Sequence, residues 1–402
     1  MTTDTAQASR RLPQGELIAM LAFLFATVAF SMDAMLPALP EIAAQLTPDD
    51  VNRAQLILTS FMAGMGLGTL FAGPVSDAIG RKPAMAIGFA VYLVASAVAL
   101  FVNSLELLLA ARFAQGLGAA APRIVGTALV RDLYSGREMA RITSFIMMVF
   151  MIVPALAPLI GVGFIHLMGW HGVFVGFILF GAIGWLWLSL RQPETLPPVA
   201  RRPLQVGTLW TGVREVLSDR QVVLSTITIS LGFGQMFALL SSAQQLFGET
   251  YDKGGQFPLW FAAMAILAGT GTLINSRLVM RIGMRRIARG AYAVQIWVSA
   301  LFLLLLVTDV LPEGLRFPVF FLWAVGLFMM AGLTFGNLNA MAMQRMGHIA
   351  GLTASVVSAI STLGAVAIAA PVGLAYDGTA IPVALAAVIC STLAWLIMGR
   401  MK

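Results

Sequence analysis

The sequence predicts an all-α membrane protein, twelve transmembrane helices in two pseudo-symmetric six-helix halves, and three observations carry that expectation. First, 59% of the 402 residues are hydrophobic and 11% are charged, with a mean hydropathy of +0.88. Average soluble domains carry about 25% charged residues, so a water-soluble globule is excluded. Second, apolar runs long enough to cross a bilayer recur at 16–38, 54–75, 83–102, 105–131, 139–165, 169–190, 221–247, 256–276, 287–308, 317–343, 349–374 and 379–399. Third, the 25 Lys and Arg residues are one-sided. With a cytoplasmic N-terminus, only Arg53, Lys253 and Arg316 fall outside, Arg112 and Arg123 lie within a span, and all the others face the cytoplasm. That bias places both termini in the cytoplasm. It also makes the net charge of +7 a matter of topology rather than of nucleic-acid affinity.

Residues 1–15 are polar and read as a cytoplasmic lead; 16–191 form one half, 192–218 a polar, proline-rich cytoplasmic linker, and 219–402 the other half. The first apolar run has no small-residue cleavage site, so the first helix is expected to be retained. Cys390 is the sole cysteine and lies in the last span, which leaves no disulfide framework to infer. His166 and His171 flank an outer turn with no third ligand near, so no metal and no cofactor are expected.

The first span carries one acid, Asp33, and Pro37 and Pro40 end or kink the helix beyond it. An acid inside a span usually marks a proton or substrate path, although one near a helix end can also meet interfacial water. The second span offers Gly64, Gly66 and Gly68 as a small face for helix packing and then leads into Gly73, Asp77, Gly80, Arg81 and Lys82. The fourth span holds Arg112 and Arg123, each costing roughly 2.5 to 3.5 kcal/mol at a helix centre. Counted from the cytoplasmic ends at 1.5 Å per residue, Asp33 and Arg112 both sit about 25 to 29 Å up, which makes them candidate charge partners. Arg123 lies about 12 Å up, where it either snorkels or faces the inner vestibule.

Several of these groups resemble motifs of the major facilitator superfamily. The turn from Gly73 to Lys82 is similar to that superfamily's loop between the second and third helices, departing from it at Ala78 and Pro83. The resemblance implies that Asp77 pairs across to neighbouring helix ends and latches one conformation. Arg112, Gln115, Gly116 and Gly118 resemble the fourth-helix motif, whose arginine is implicated in proton coupling, so Asp33 and Arg112 are the expected coupling residues. Pro154, Pro158 and Gly161 resemble in part the antiporter motif that bends the fifth helix; Ala157 and Val162 depart from it.

The second half echoes the first, with Gly283, Arg285 and Arg286 matching the Gly80 turn and Ala370-Pro371 matching Ala157-Pro158. Two such halves imply the major facilitator fold, with a substrate site between them near the midplane. Phe30, Met35, Met147 and Met151 are candidate walls of that cavity, joined by Arg123, Gln235 and Asn337 as its polar groups. For the methionines, Gln235 and Asn337, ordinary helix packing is the competing reading. The segments LPALPEI, VRDLYSGREMARITSF and GNLNAMAMQRMGHIAGL resemble the bicyclomycin and chloramphenicol resistance branch (Bcr/CflA) over nearly the whole chain. That resemblance implies a multi-pass, monomeric proton antiporter in a bacterial inner membrane. Its partners would be small, mostly uncharged drugs, protons and the lipid bilayer.

Two other classes stay open at this point. A facilitative or proton-coupled importer of a small nutrient would use the same architecture. A membrane-embedded enzyme would need a catalytic constellation, and the chain has three histidines, one cysteine and no close acid pair within a span. A phosphate-binding loop ending in Lys-Ser or Lys-Thr is also lacking, which argues against ATP drive.

Overall fold

Twelve long helices account for most of the chain in the computed structural model, which describes residues 12–201, 203–204 and 206–401, with the side chains at 140, 149–151, 206 and 208 outside the description. The expected N-terminal lead therefore lies mostly outside the described residues. The helices are α1 (Gln14–Asp33), α2 (Leu56–Ile79), α3 (Arg81–Ala99), α4 (Leu105–Leu133), α5 (Gly136–Met168) and α6 (His171–Arg191) in the first half. The second half holds α7 (Arg220–Gln245), α8 (Phe257–Ile282), α9 (Met284–Thr308), α10 (Glu313–Met343), α11 (Ala350–Leu374) and α12 (Ile381–Gly399). Eleven of these rods are long and apolar enough to cross a membrane by composition. The other is α4, 29 residues long, in which Arg112 and Arg123 interrupt the apolar run.

Local chemistry sets where the rods stop. Gly80 and Gly283 end α2 and α8 with φ of 109° and 89°, a region that side chains with a β-carbon rarely enter. Both give the same sharp turn into the next helix, so the echo between the halves is a shared backbone requirement. Asp219 caps α7, its carboxylate accepting from the backbone N–H groups of Gln221 (2.8 Å) and Val222 (3.0 Å). The first span is longer than expected. Its α-helix stops at Asp33, passes through a 3-10 turn at Leu36–Ala38, and resumes as a short helix at Leu39–Leu46. Pro37 and Pro40 each lack an N–H, and the break falls around them. Asp33 is thus at an interruption within the rod and not near its end.

The pairing of helices repeats with an offset of six. In the first half α1 packs on α4, α5 and α6, α2 on α4, and α3 on α4 and α6; in the second α7 packs on α10, α11 and α12, α8 on α10, and α9 on α10 and α12. Two symmetric seams, α2 with α11 and α5 with α8, join the halves. Glycine makes these approaches possible. A β-carbon on Gly64 would collide with the Phe113 carbonyl of α4, and one on Gly116 with the Phe61 carbonyl of α2. Gly66, on another side of α2, faces Thr362 and Leu363 of α11. The expected small face therefore serves two partners, one within its half and one across the seam.

Apolar packing is distributed unevenly along the bundle. At the end away from the α2–α3 turn, one cluster spans both halves and includes Phe30, Leu39, Phe61, Phe237, Leu240 and Ala365. At the α2–α3 turn end the halves have separate cores, one around Leu21, Phe89 and Leu129 and the other around Tyr292, Leu338 and Val356. Between α6 and α7 the linker forms an amphipathic helix, Val206–Ser218, whose Glu215 carboxylate meets His348 Nε2 at 2.7 Å.

Candidate functional site

The interruption at Asp33 organises the buried charge. The last turn of a helix leaves carbonyls short of intrahelical donors, and Ser31 is in that turn. Arg112 supplies a donor: its Nη2 bonds the Ser31 carbonyl at 2.9 Å. Its Nη1 donates to Gln115 Oε1, and its Nε approaches the Ile57 carbonyl at 3.5 Å. The guanidinium lies over the rings of Phe61 (4.6 Å) and Phe177 (5.5 Å), which places ring faces where water would otherwise solvate it. Gln115 in turn donates to Ser96 Oγ at 2.7 Å, and Ser31 Oγ shares a 2.6 Å hydrogen bond with Tyr92 OH. Arg112 is fully buried within this cage of α1, α2, α3, α4 and α6 groups.

The expected ion pair between Arg112 and Asp33 is not made. Asp33 is 6% exposed and has no hydrogen bond or salt bridge among the described residues, and every partner of Arg112 is neutral. Counting residues fixes depth but not direction around the axis. Two residues on a helix are separated by about 200° of rotation, so a guanidinium that meets Ser31 need not meet Asp33.

At the α2–α3 turn the latch residues do come together. Arg81, 4% exposed, donates from Nη1 to Asp77 and to Ser76 Oγ (2.7 Å), and from Nε to Asp132 Oδ2 of α4 (2.7 Å). Glu194 of the linker accepts from the backbone N–H groups of Arg81 and Lys82, both at 3.0 Å, capping α3, while Lys82 Nζ bonds the Ser189 carbonyl at 2.7 Å. Gly80 allows Glu194 to come close, and Gly73 is the member that faces the other half, next to Ser355 of α11. The charged contacts at this turn thus join α2, α3, α4 and the linker.

The candidate cavity residues do not converge. Phe30 stacks on Phe180 at 4.7 Å and meets Phe177 edge-on, Met35 is buried, and Met147 is 41% exposed. The Met151 side chain lies outside the described residues. Gln235 accepts from Ser391 Oγ of α12 at 2.9 Å, and Asn337 donates to Asn275 Oδ1 of α8 at 2.8 Å, so both are engaged inside the second half. Arg123 resolves differently: its Nη2 donates to Ser358 Oγ of α11 at 2.9 Å, a bond from one half to the other. α5 runs unbroken through Pro154 and Pro158, and a β-carbon on Gly161 would strike the Ala34 carbonyl, so this glycine lets α5 approach α1 beside Asp33.

At the opposite end a polar network sews the halves together. Asn52 Nδ2 donates to the carbonyls of Leu374 (3.2 Å) and Tyr376 (2.7 Å), and Asn52 Oδ1 accepts from Gln245 Nε2 at 3.0 Å. Gln55 Nε2 donates to Gln245 Oε1, and Gln55 Oε1 accepts from Ser242 Oγ at 3.0 Å.

The profile of the Major Facilitator Superfamily matches residues 21–370. The chain belongs to that superfamily. This facilitator is 31% identical over 340 residues to the bicyclomycin resistance protein homolog of Haemophilus influenzae, covering 82% of each chain. It is 30% identical over 289 residues to the multidrug transporter MdfA of Yersinia pestis, covering 69% of this chain and 68% of the relative. Among solved structures, the D-xylose-proton symporter shares its fold at a TM-score of 0.75 with 13% identity, over 96% and 97% of the two chains.

Sequence reasoning missed several residues that these contacts involve. Asp132 and Glu194 bind Arg81, yet one follows Arg131 at a helix end and the other lies among linker prolines, with no spacing that ties either to Arg81. Asn52 and Gln55 stand at the edge of a predicted span, where polar residues are ordinary. Gln245 lies within the seventh span, but its side-chain partners Asn52 and Gln55 are nearly 200 positions away in the chain.

Proposed function

We propose that this facilitator is a proton-coupled exporter of small, mostly uncharged drugs that works by alternating access in a bacterial inner membrane, as a monomer with both termini in the cytoplasm. The relatives named for bicyclomycin resistance and multidrug transport support the substrate class, and the one-sided distribution of arginine and lysine supports the orientation. In that orientation the Asn52–Gln55–Gln245 seam closes the outer face, and the two separate cores lie at the inner face.

The observation that carries proton coupling is Asp33, a buried carboxylate at a break in α1 with no hydrogen bond or salt bridge among the described residues. An ionised carboxylate in such a place is costly, and taking up a proton removes the cost. A helix already interrupted there is free to repack when the charge changes, which biases one arrangement of the halves over the other. Arg112 fixes the Ser31 end of the same segment, so we assign it the positioning of that break. One proton moving inward in exchange for a neutral drug carries one charge, worth about 2.3 kcal/mol per 100 mV. Residues 16–191 and 219–402 act as the moving units about the 192–218 linker. Gly73, Asp77, Gly80, Arg81 and Lys82 hold the inner latch, and Pro154, Pro158 and Gly161 shape α5 beside Asp33. Arg123, which bonds across to α11, is the one of the candidate cavity groups that we place on the drug's path.

The test is efflux against a gradient from vesicles or cells. Asp33→Asn is expected to abolish uphill export while leaving the protein folded, and an uncoupler is expected to do the same to the unaltered protein. Undiminished uphill transport by Asp33→Asn sinks the coupling assignment, and uncoupler-insensitive equilibration would instead identify a facilitative carrier.

A further inference from the structure

The second half repeats the α2–α3 turn without repeating its carboxylates. Three residues before the turn glycine, Asp77 of the first half is matched by Met280, which is 89% exposed. No ion pair is made by Arg285, Arg286 or Arg289 among the described residues, whereas Arg81 has two. These three arginines line a cavity of about 470 Å³ between the α8–α9 turn and the end of α10, shared with Gly283, Met341 and Gln344 and containing no acid. Among the described residues Arg285 donates only to the Gly399 carbonyl, at 3.3 Å. Arg289 lies over the Trp395 ring at 4.6 Å, and its buried Nε has no hydrogen-bond partner among the described residues.

Such an arrangement opposes itself unless an anion is present. Arg285 and Arg286 occupy the first turn of α9, where the helix already presents partial positive charge, so two further cations there repel both it and each other. We propose that this cavity is a binding site for a phosphate-bearing anion. Guanidinium groups meet phosphate oxygens through paired N–H donors, and Arg289, held flat by Trp395, is oriented before the ligand arrives. The volume accommodates a phosphate with a small polar substituent. Exposed Ile282 lines the cavity and exposed Met280 precedes it on α8, an apolar surface fit for acyl chains. An anionic phospholipid headgroup and free inorganic phosphate share this chemistry.

The experiment titrates the purified full-length protein in neutral detergent, by native mass spectrometry, with phosphatidylglycerol, with phosphatidylcholine and with inorganic phosphate. Phosphatidylglycerol is expected to bind more tightly than phosphatidylcholine. The loss is expected to be about fivefold in Arg286→Gln and on the order of 100-fold in the triple Arg285→Gln/Arg286→Gln/Arg289→Gln variant, with none in the exposed linker variant Arg214→Gln. Arg286 makes no hydrogen bond, ion pair or ring contact among the described residues, so its single variant tests the site even if the triple variant unfolds. Displacement of the lipid by submillimolar inorganic phosphate, or binding of phosphate alone with the same dependence on the arginines, identifies a soluble occupant; no displacement identifies the lipid. Equal binding of both lipids and no phosphate binding overturns the site, as does phosphatidylglycerol affinity indifferent to Arg286→Gln and to a folded triple variant.

Discussion

Gln55 of the first half and Gln245 of the second are joined directly, with Ser242 donating to the same Gln55 side chain at 3.0 Å and Asn52 accepting from Gln245 at 3.0 Å. The seam at this end therefore depends on amides whose partners come from the other half. Beneath it lies the apolar cluster shared by both halves.

Gln55→Leu removes the central member and leaves Gln245 and Ser242 short of a partner, a cost of about 1–3 kcal/mol. The closed arrangement is then expected to lose at least about fivefold in population. A single cysteine at Ala243, in a Cys390→Ser background, reads this out through its rate of modification by an impermeant maleimide added from that face. A rate unchanged by Gln55→Leu would show that the amides do not hold the seam.

Because Arg112 is solvated by neutral groups, its contribution to stability is independent of the Asp33 charge. In thermal unfolding, Arg112→Lys is expected to destabilise by about 1.5–3 kcal/mol, since an ammonium cannot serve Ser31 and Gln115 together from between two rings. Combining it with Asp33→Asn is expected to add within about 0.5 kcal/mol. A coupling energy well above that would reveal an ion pair in the folded protein.

The paired glycines of α2 and α4 give a sharper contrast. Gly116→Ala drives a methyl group into the Phe61 carbonyl, and backbone cannot rotate away, so a loss of about 1–3 kcal/mol or more is expected. Gly163→Ala meets open space within α5 and is expected to be neutral or stabilising by up to about 1 kcal/mol. Equal unfolding midpoints for the two variants would refute the close α2–α4 approach.

Asp132→Asn weakens the pair with nearly buried Arg81, where removing one partner costs about 3 kcal/mol. Asp77 and Glu194 remain, so α3 is expected to stay folded while the inner end loosens. Hydrogen exchange at the backbone amides of Arg81 and Lys82 measures this, with faster exchange as the expected result. Protection equal to that of the unaltered protein would place the latch elsewhere.

The twelve rods were legible because a bilayer imposes one length and one composition on each, and even α4 could be recognised through its charges. Gly64, Gly66 and Gly68 were legible as a small face, but which helix each one meets depends on rotation about α2, which hydropathy does not encode. The same limit separated Arg112 from Asp33: their depths could be counted along the chain, whereas the direction of each side chain emerged only from the packing of α1 against α4. Pro37 and Pro40 announced a break, yet its position at Asp33, with a helix resuming to Leu46, required the second short helix to find its own packing. Residues such as Asn52, Glu194 and Tyr376 carry no local signature, since their roles come from partners far away in sequence.

The amides of the Asn52–Gln55–Gln245 seam also set how easily it can be undone. An apolar contact torn open exposes surface that water receives poorly, but Asn52, Gln55 and Gln245 can exchange each other for water at little net change in hydrogen bonding. A boundary made this way is tight while dry and forgiving once wet. It can part and re-form through many turnovers without the facilitator having to overcome a deep trap at each one.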